Sequence, residues 1–228
     1  MELANTHKDI FLGFKAYSES DVDIFKGREQ DSEYLYSLVA NKDYVLCYAE
    51  SGEGKSSLIE AGLVPRLKAN RYFPVRISFT DEEYNNTQID FDKVIKDRIL
   101  DAVKNQQMSV RQQPLSFISK TDSVLNDKFS DDLWWFLRHN ELSLYGISFP
   151  IVLIFDQFEE VMNYPKSESW TSRFFAFLEK ISTDNCPQYI LDEMTKCDEI
   201  PDVLVNKEFM AVFAIRTEYI GELDYWWM

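Results

Sequence analysis

The sequence has few of the residues that identify disulfide-rich or metal-dependent proteins. Its 228 residues include only three cysteines and two histidines. The cysteines are odd in number and far apart, which argues against a disulfide framework, at positions Cys47, Cys186 and Cys197. Neither histidine lies at metal-ligand spacing from a cysteine. We therefore expect a reduced, cytoplasmic protein with no metal site beyond an ion that a ligand brings.

Long apolar segments and basic segments are also missing. The first residues, MELANTHKDIFLGF, do not form a signal peptide pattern, and no apolar run reaches membrane-spanning length. The chain has 39 Asp and Glu against 24 Lys and Arg, a formal charge of -15. This balance, without a basic run, disfavours nucleic acid and anionic membranes as partners. A hydrophobic fraction of 45% nevertheless suits a globular core.

Short apolar segments bounded by helix- and strand-breaking residues predict four β-strands, at 43–49, 73–79, 150–156 and 209–216. Their continuous apolarity indicates strands buried on both faces of a parallel sheet. Amphipathic segments between them predict helices at 27–40, 54–70, 91–106, 130–142 and 169–182. Ser130 is the predicted N-cap of the fourth helix. The alternation of strands and helices indicates a three-layer α/β fold.

Two intervening segments and two aromatic clusters complete this outline. Residues 107–129 are polar and predict a mobile loop, and residues 183–208 are acidic and predict a decoration at the edge of the fold. Trp134 and Trp135 are predicted to pack in the core, with a base-stacking platform as the alternative. Phenylalanines 174, 175 and 177 predict the inner face of the last helix.

The segment AESGEGKS, residues 49–56, follows the first strand and opens a helix. It matches the phosphate-binding loop pattern at every fixed position except the first, where Ala49 replaces glycine. Backbone amides can converge on a triphosphate only in conformations that glycine adopts with little strain. Lys55 would then reach the β- and γ-phosphates, and Ser56 would offer a hydroxyl to Mg²⁺. A glycine turn that happens to cap a helix is the alternative.

Three acids follow the third strand in the segment VLIFDQFEE. Asp156, at the carboxyl end of the strand, would hold Mg²⁺ beside the phosphate loop. Glu159 or Glu160 would orient and activate the attacking water. Acids are also common in the first turn of a helix, which is the alternative for each of them.

Two arginines complete the candidate site. Arg216 ends the fourth strand, where it could contact the γ-phosphate, with an ion pair to Glu218 or Glu222 as an equal alternative. Arg28, in the segment FKGRE upstream of the first strand, could lie beside the nucleotide. A glycine turn that opens a helix explains Arg28 equally well.

Taken together, FKGRE, YAESGEGKSSLIEAGLVPRL, IVLIFDQFEEV and VFAIRTEYIGELD resemble the STAND class of signal-transduction P-loop NTPases. The most similar branch is the NACHT-like novel STAND NTPases of bacteria, over about residues 25–224. This resemblance implies a slow, switch-like ATPase that uses ATP or dATP with Mg²⁺ and self-associates on activation. Many bacterial members act in anti-phage defence. The trigger and the effector remain open.

The resemblance also implies residue roles. The loop that binds the nucleotide would comprise Ser51, Gly52, Glu53, Gly54, Lys55, Ser56 and Ser57, with Arg28 in the upstream pocket motif. Ser56 and Asp156 would hold Mg²⁺, Glu159 and Glu160 would be the hydrolytic acids, and Arg216 would be the sensor. For the sheet, we expect the strand of Asp156 beside the first strand with the strand of Arg216 on its far side, or the reverse. The class implies that the strand carrying Arg216 lies between the two other motif-bearing strands.

One difference from the class concerns length. Members continue into a fifth core strand, a helical lid and usually a winged helix, whereas this sequence ends at Met228. We expect an N-terminal fragment, with a short extension at residues 1–24 and the NTPase core at residues 25–228. No effector domain is expected before the core.

Other functions are compatible with parts of the pattern. A non-hydrolysing nucleotide-binding or interaction module is the main alternative, favoured by Ala49 and by the missing lid. A DNA-processing P-loop ATPase is disfavoured by the acidic charge.

Overall fold

The computed structural model describes residues 15–109, 115–120, 123–165, 167–197 and 209–227. Its strands are β1 (Tyr44–Ala49), β2 (Phe73–Arg76), β3 (Ser116–Ser119), β4 (Asn140–Leu144), β5 (Ile147–Ser148), β6 (Ile151–Phe155) and β7 (Phe209–Arg216). Its α-helices are α1 (Glu29–Asn41), α2 (Lys55–Ser57), α3 (Val64–Ala69), α4 (Asp81–Asn85), α5 (Phe91–Ser109), α6 (Leu133–His139), α7 (Glu160–Asn163), α8 (Glu168–Ser182), α9 (Gln188–Lys196) and α10 (Ile220–Trp227).

The central sheet has four parallel strands in the order β1-β7-β6-β2. All four predicted strands are present, and β7 lies between β1 and β6. The predicted parallel sheet and the strand order implied by the class are therefore confirmed, and the order with β6 directly beside β1 is wrong. Because the strands are parallel, their carboxyl ends meet at one edge of the sheet. Ala49 at the end of β1 pairs with Arg216 at the end of β7.

The helices cover both faces of this sheet, which gives three layers. On β6, Val152 and Ile154 pack with residues of α1 and of the helix that follows the glycine loop. Leu153 and Phe155, which alternate with them, pack with α5 and α8 on the other face. Both sets are almost fully buried, which explains why the strand is apolar at every position rather than at alternate ones.

The edge strand β1 differs from the prediction that every strand is buried on both faces. Leu46 and Tyr48 in β1 are 42% and 59% exposed. Within the described residues, β7 is the only strand that pairs with β1. Apolarity in this strand therefore does not correspond to complete burial.

The predicted helix at 130–142 is shorter than expected at both ends. Ser130 is not its N-cap; the Asp132 side chain accepts a hydrogen bond of 2.9 Å from the backbone N–H of Trp135 and fills that role. The helix ends at His139, because Asn140 is extended and begins β4. Pairing of β4 with strands on both sides accounts for this end.

A second, antiparallel sheet in the order β3-β4-β5 was not predicted. Its strand β3 lies inside the segment interpreted as a mobile loop. The hairpin from β4 to β5 turns at Tyr145 and Gly146, whose φ angles of 52° and 73° fit a type I′ turn. Tyrosine is not typical of the first position of this turn, so the hairpin has no clear signal in the sequence.

The tryptophan pair forms part of the core, as predicted. Trp134 and Trp135 are each 1% exposed and pack with Leu125, Phe129, Ile190 and Met194. Leu125 and Phe129 fall in the predicted mobile loop, so that part of the loop is instead packed. Helix α9 supplies Ile190 and Met194 from the segment predicted to decorate the edge. Residues 198–208 of that segment lie outside the described residues.

The helix after the glycine loop, predicted at 54–70, begins at Lys55 and is continuous through α2, a π-helical segment at Leu58–Leu63, and α3, which ends at Ala69. Gly62 in the π-helical segment touches α1. A methyl group added at Gly62 would lie 2.4 Å from Ser32 Oγ, which is shorter than any normal contact. The absence of a side chain therefore allows α1 to pack closely on this helix, and α1 begins directly after Arg28.

Candidate functional site

The glycine loop has the backbone conformations that its composition predicted. Gly52 and Gly54 have φ angles of 86° and 77°, in the region that favours glycine. Gly54 is the N-cap of α2, and its carbonyl accepts the first helical bond from Leu58 N–H at 2.8 Å. The first N–H groups of a helix have no partner within the helix, so they are available to an anion at this end.

A cavity of about 470 Å³ lies between this loop and the carboxyl ends of β6 and β7. It is lined by Lys15, Ala16, Tyr17, Ser51, Gly52, Gly54, Lys55, Ser56, Ser57, Asp156, Gln157, Glu159 and Arg216. Nine of the predicted site residues are in this set, although they come from three distant parts of the sequence. The parallel sheet brings them together because β1, β6 and β7 are neighbours and end on the same side.

Lys55 is held by the loop that it follows. Its ammonium group donates to the carbonyl oxygens of Ala49 at 2.8 Å and Glu50 at 2.9 Å. These bonds keep the charged group at the mouth of the loop, beside the cavity. A phosphate at this position would offer the ammonium group an oppositely charged partner in place of two neutral carbonyls.

Two oxygen-bearing side chains in the cavity fit Mg²⁺. The Ser56 hydroxyl makes no hydrogen bond to any described residue. One Asp156 oxygen, Oδ1, accepts from Gln157 N–H at 3.0 Å, and the second remains open to the cavity. Magnesium is usually held by one or two protein oxygens together with phosphates and water. The described residues contain no cluster of three or more His, Cys, Asp or Glu that could hold a metal alone.

Glu159 and Arg216 form an ion pair at the cavity wall. Arg216 Nε lies 2.9 Å from Glu159 Oε1, and the backbone N–H of Arg216 donates to Oε2 at 3.4 Å. Glu159 is 5% exposed, so its charge is stabilised mainly by this partner. The expected alternative partners of Arg216, Glu218 and Glu222, are not the ones it contacts. The pair joins β7 to the turn after β6.

Glu160 is near the site but is not among the residues that line the cavity. It is the first residue of α7 and is partly buried. Burial, followed by the nearby carboxylates of Glu159 and Asp156, raises the pKa of Glu160 above its ordinary value. The side chain therefore holds a proton to higher pH than an exposed glutamate.

Arg28 lies in a neighbouring cavity of about 330 Å³ rather than in the larger one. Its Nη1 donates to the Glu53 carbonyl at 3.2 Å, and its Nε pairs with Asp31. Tyr17 and Phe25 line the same cavity, with ring centroids 5.3 Å apart. Tyr17 lines both cavities, so the two spaces are adjacent along the glycine loop.

Sequence reasoning missed four residues that line the larger cavity: Lys15, Ala16, Tyr17 and Gln157. Lys15 and Tyr17 precede α1 in a segment without a recognisable pattern, and Tyr17 N–H donates to Ser57 Oγ at 3.1 Å. Gln157 lies next to Asp156 in the segment VLIFDQFEE, whose acids were predicted as site residues. Its position in that segment was the only available signal.

The parallel sheet, the glycine loop and the acid at the end of β6 define a P-loop NTPase-type α/β fold. A family model described as Novel STAND NTPase 1 matches residues 11–225. Because that match covers most of the chain, the protein belongs to the Novel STAND NTPase 1 family. No curated protein matches the chain. In the part of the chain that the structure describes, no helix is long and apolar enough to span a membrane.

Proposed function

We propose that this chain binds ATP or dATP with Mg²⁺ in the larger cavity and hydrolyses it slowly, as the switch domain of a signalling NTPase. The main support is that one cavity is lined by the glycine loop, Asp156 and Arg216, which come from the ends of three neighbouring strands. This combination provides anion-binding amides, a metal-binding oxygen and a cation for a terminal phosphate. Cytoplasmic localisation and self-association belong to the same proposal.

The groups that line the cavity would have different roles in binding. Loop N–H groups and Lys55 bind phosphate oxygens, because the amides converge and the ammonium group is positively charged. Ser56 and Asp156 would hold Mg²⁺, which when bound neutralises phosphate charge. Ser57 positions the segment at residues 15–17, since its hydroxyl accepts from Tyr17 N–H.

The ion pair of Glu159 with Arg216 supports a switch that responds to the terminal phosphate. A phosphate in the cavity competes with Glu159 for the guanidinium group of Arg216. Release of Glu159 would free a carboxylate to accept a proton from water in the same cavity. Glu160, whose raised pKa brings its titration closer to neutrality, is the other acid available for this step.

Calorimetric titration with Mg–ATP tests the binding site. The Lys55→Ala variant should bind at least about tenfold more weakly than the parent, because a charged hydrogen-bond donor to phosphate is lost. Lys93→Ala is the matched control, since Lys93 is exposed and lines neither cavity. If Lys55→Ala binds as tightly as the parent, the assignment of the site is wrong.

Phosphate release identifies the hydrolytic acid. We expect Glu160→Gln to keep its affinity for ATP and to lose turnover. Unchanged turnover in Glu160→Gln, with loss in Glu159→Gln, would assign the role to Glu159. Both substitutions keep the size of the side chain, so a difference between them reports on the carboxylate.

One observation favours a non-hydrolysing nucleotide-binding module as the second candidate. The Glu159 carboxylate is buried and both of its oxygens contact Arg216, so it is not free to act as a base in this conformation. That candidate predicts tight binding of ATP with no phosphate release from the parent chain. Measurable release that depends on Mg²⁺ would contradict it.

A further inference from the structure

The turn between β6 and α7 contains a residue in an unfavourable backbone conformation. Gln157 has a φ angle of 56°, a region that residues other than glycine seldom adopt. Such a conformation in a glutamine costs about 1 kcal/mol or more, and the surrounding structure must enforce it. The strained residue directly follows Asp156 and lines the proposed nucleotide cavity.

The backbone of the turn explains why this conformation is enforced. Phe158 N–H donates to the Ala214 carbonyl of β7 at 2.7 Å, and the Phe158 side chain is 1% exposed. On the other side, Gln157 N–H donates to Asp156 Oδ1 at 3.0 Å. Asp156 therefore faces the cavity while Phe158 enters the core. A glycine at position 157 would make the same turn without the strain.

The side chain of Gln157 takes no part in this arrangement. It is exposed to the cavity and makes no hydrogen bond to any residue that the structure describes. An amide group offers both a donor and an acceptor, and neither is used by a residue in the described part of the chain. No contact of the side chain with the described residues compensates the strain, and the amide is available to a ligand in the cavity.

We propose that Gln157 is a catalytic residue whose amide contacts the terminal phosphate of the nucleotide and the water that attacks it. This inference rests on the proposed function. A donor to the phosphate and an acceptor for the water are the two contacts that orient an in-line attack. Glu159 and Arg216 line the same cavity, so the amide shares this cavity with one of the two candidate bases and with the sensor.

Substitution by glycine separates the side chain from the backbone. Gln157→Gly keeps the turn, and we expect a melting temperature no lower than that of the parent. The affinity for a non-hydrolysable ATP analogue, relative to that for ADP, should fall about tenfold because a hydrogen bond to a charged phosphate is lost. Turnover at saturating ATP should fall by about 10- to 100-fold.

Tyr145→Gly is the matched control. Tyr145 has a φ angle of 52°, is neutral and exposed, and lies in the hairpin of the second sheet. The control therefore makes the same kind of backbone change without removing a side chain from the cavity. Its ATP-to-ADP affinity ratio and its turnover should equal those of the parent.

The Gln157→Glu variant gives a second test, which is measured by binding alone and does not depend on turnover. The carboxylate has nearly the shape of the amide but repels phosphate, so it should weaken binding of the ATP analogue more than binding of ADP. An equal effect on both nucleotides would place the side chain away from the terminal phosphate and would contradict the inference.

The outcomes separate the two proposals. If the parent binds ATP and Gln157→Gly keeps the parent's affinity ratio and turnover, the role of Gln157 alone is overturned. A parent that binds ATP without hydrolysing it would refute hydrolysis, while the affinity ratio would still decide whether Gln157 contacts the terminal phosphate. A parent that binds no ATP would refute both.

Discussion

At the scale of single residues, the cavity contains charged groups that are bound to the protein itself. Lys55 donates to two carbonyls of its own loop, and Arg216 pairs with Glu159. For these two cations, phosphate binding would therefore exchange existing contacts for stronger ones. The net gain depends on the difference between the two sets of contacts, which favours phosphate because it is charged.

The smaller cavity suggests where the base of a nucleotide would lie. Tyr17→Ala should weaken ATP binding about tenfold and leave binding of inorganic tripolyphosphate unchanged, because a stacked base is worth about 1–3 kcal/mol. The backbone N–H that donates to Ser57 Oγ is kept in this variant. Competition titrations with the two ligands would measure the difference.

Tyr34→Ala serves as the control for Tyr17→Ala. Tyr34 is 66% exposed on α1 and lines neither cavity. Equal loss of affinity for ATP and tripolyphosphate in Tyr17→Ala would indicate that Tyr17 acts on the phosphates and would contradict the base assignment.

The raised pKa of Glu160 predicts a pH-dependent effect on stability. Burial and the nearby carboxylates of Glu159 and Asp156 disfavour the ionised form in the folded state. As the pH rises, Glu160 loses its proton at a lower pH in the unfolded chain than in the folded protein. The free energy of unfolding therefore decreases between the two pKa values and stays lower at higher pH. Glu160→Gln removes this loss.

Urea unfolding in EDTA at pH 4 and pH 7 would measure the effect. The stability of Glu160→Gln relative to the parent should be greater at pH 7 than at pH 4. The same difference at both pH values would show that ionisation of Glu160 is not unfavourable in the folded state.

At the scale of secondary structure, the position of α1 depends on its contact with the helix after the glycine loop. Gly62→Ala should destabilise the protein by about 1–3 kcal/mol, because the added methyl group would overlap Ser32 Oγ, which is buried and donates to the Arg28 carbonyl at 2.7 Å. Denaturant unfolding would measure this change.

Gly221→Ala is the control for Gly62→Ala. Gly221 lies in α10, where an added methyl group meets no atom within 4 Å, and alanine should be neutral or stabilising there. A Gly62→Ala variant as stable as the parent would mean that α1 can move away at no cost, so its close packing would not fix the position of Arg28.

The elements that the sequence predicted differ physically from those it did not. Strands β6 and β7 have continuous apolar residues because both faces are buried, and this pattern is unambiguous. The strands of the second sheet, in contrast, are short and partly polar, and the turn at Tyr145 has an atypical residue. Helix α6 was predicted too long because its apolar pattern continues into β4 at Leu142, which is equally buried.

The candidate site was predictable where its residues lie in recognisable segments. The glycine loop, Asp156 and Arg216 could be assigned to one edge of a parallel sheet. The partner of Arg216 could not be predicted, because Glu159 is 57 positions away in sequence, whereas Glu218 and Glu222 are only two and six positions away. Tyr17 reaches the site through the path of the chain before α1, which composition and periodicity do not specify.

At the scale of the whole molecule, charge is distributed unevenly. The chain carries a formal charge of -15, yet the larger cavity contains the cations Lys15, Lys55 and Arg216 with the acids Asp156 and Glu159. A cavity with this balance can attract an anion from a surface that otherwise repels it. The acidic charge of the whole chain disfavours extended nucleic acid as a partner. It is compatible with a small phosphate-bearing ligand that binds in the cavity.

A crystal structure with Mg²⁺ and a non-hydrolysable ATP analogue tests the central claim most directly. We predict that the triphosphate lies in the cavity between the glycine loop and Asp156, and that the Lys55 ammonium group leaves the carbonyls of Ala49 and Glu50 to contact it. A triphosphate bound elsewhere, or a cavity without nucleotide at saturating concentration and with both Lys55 contacts intact, would contradict the account.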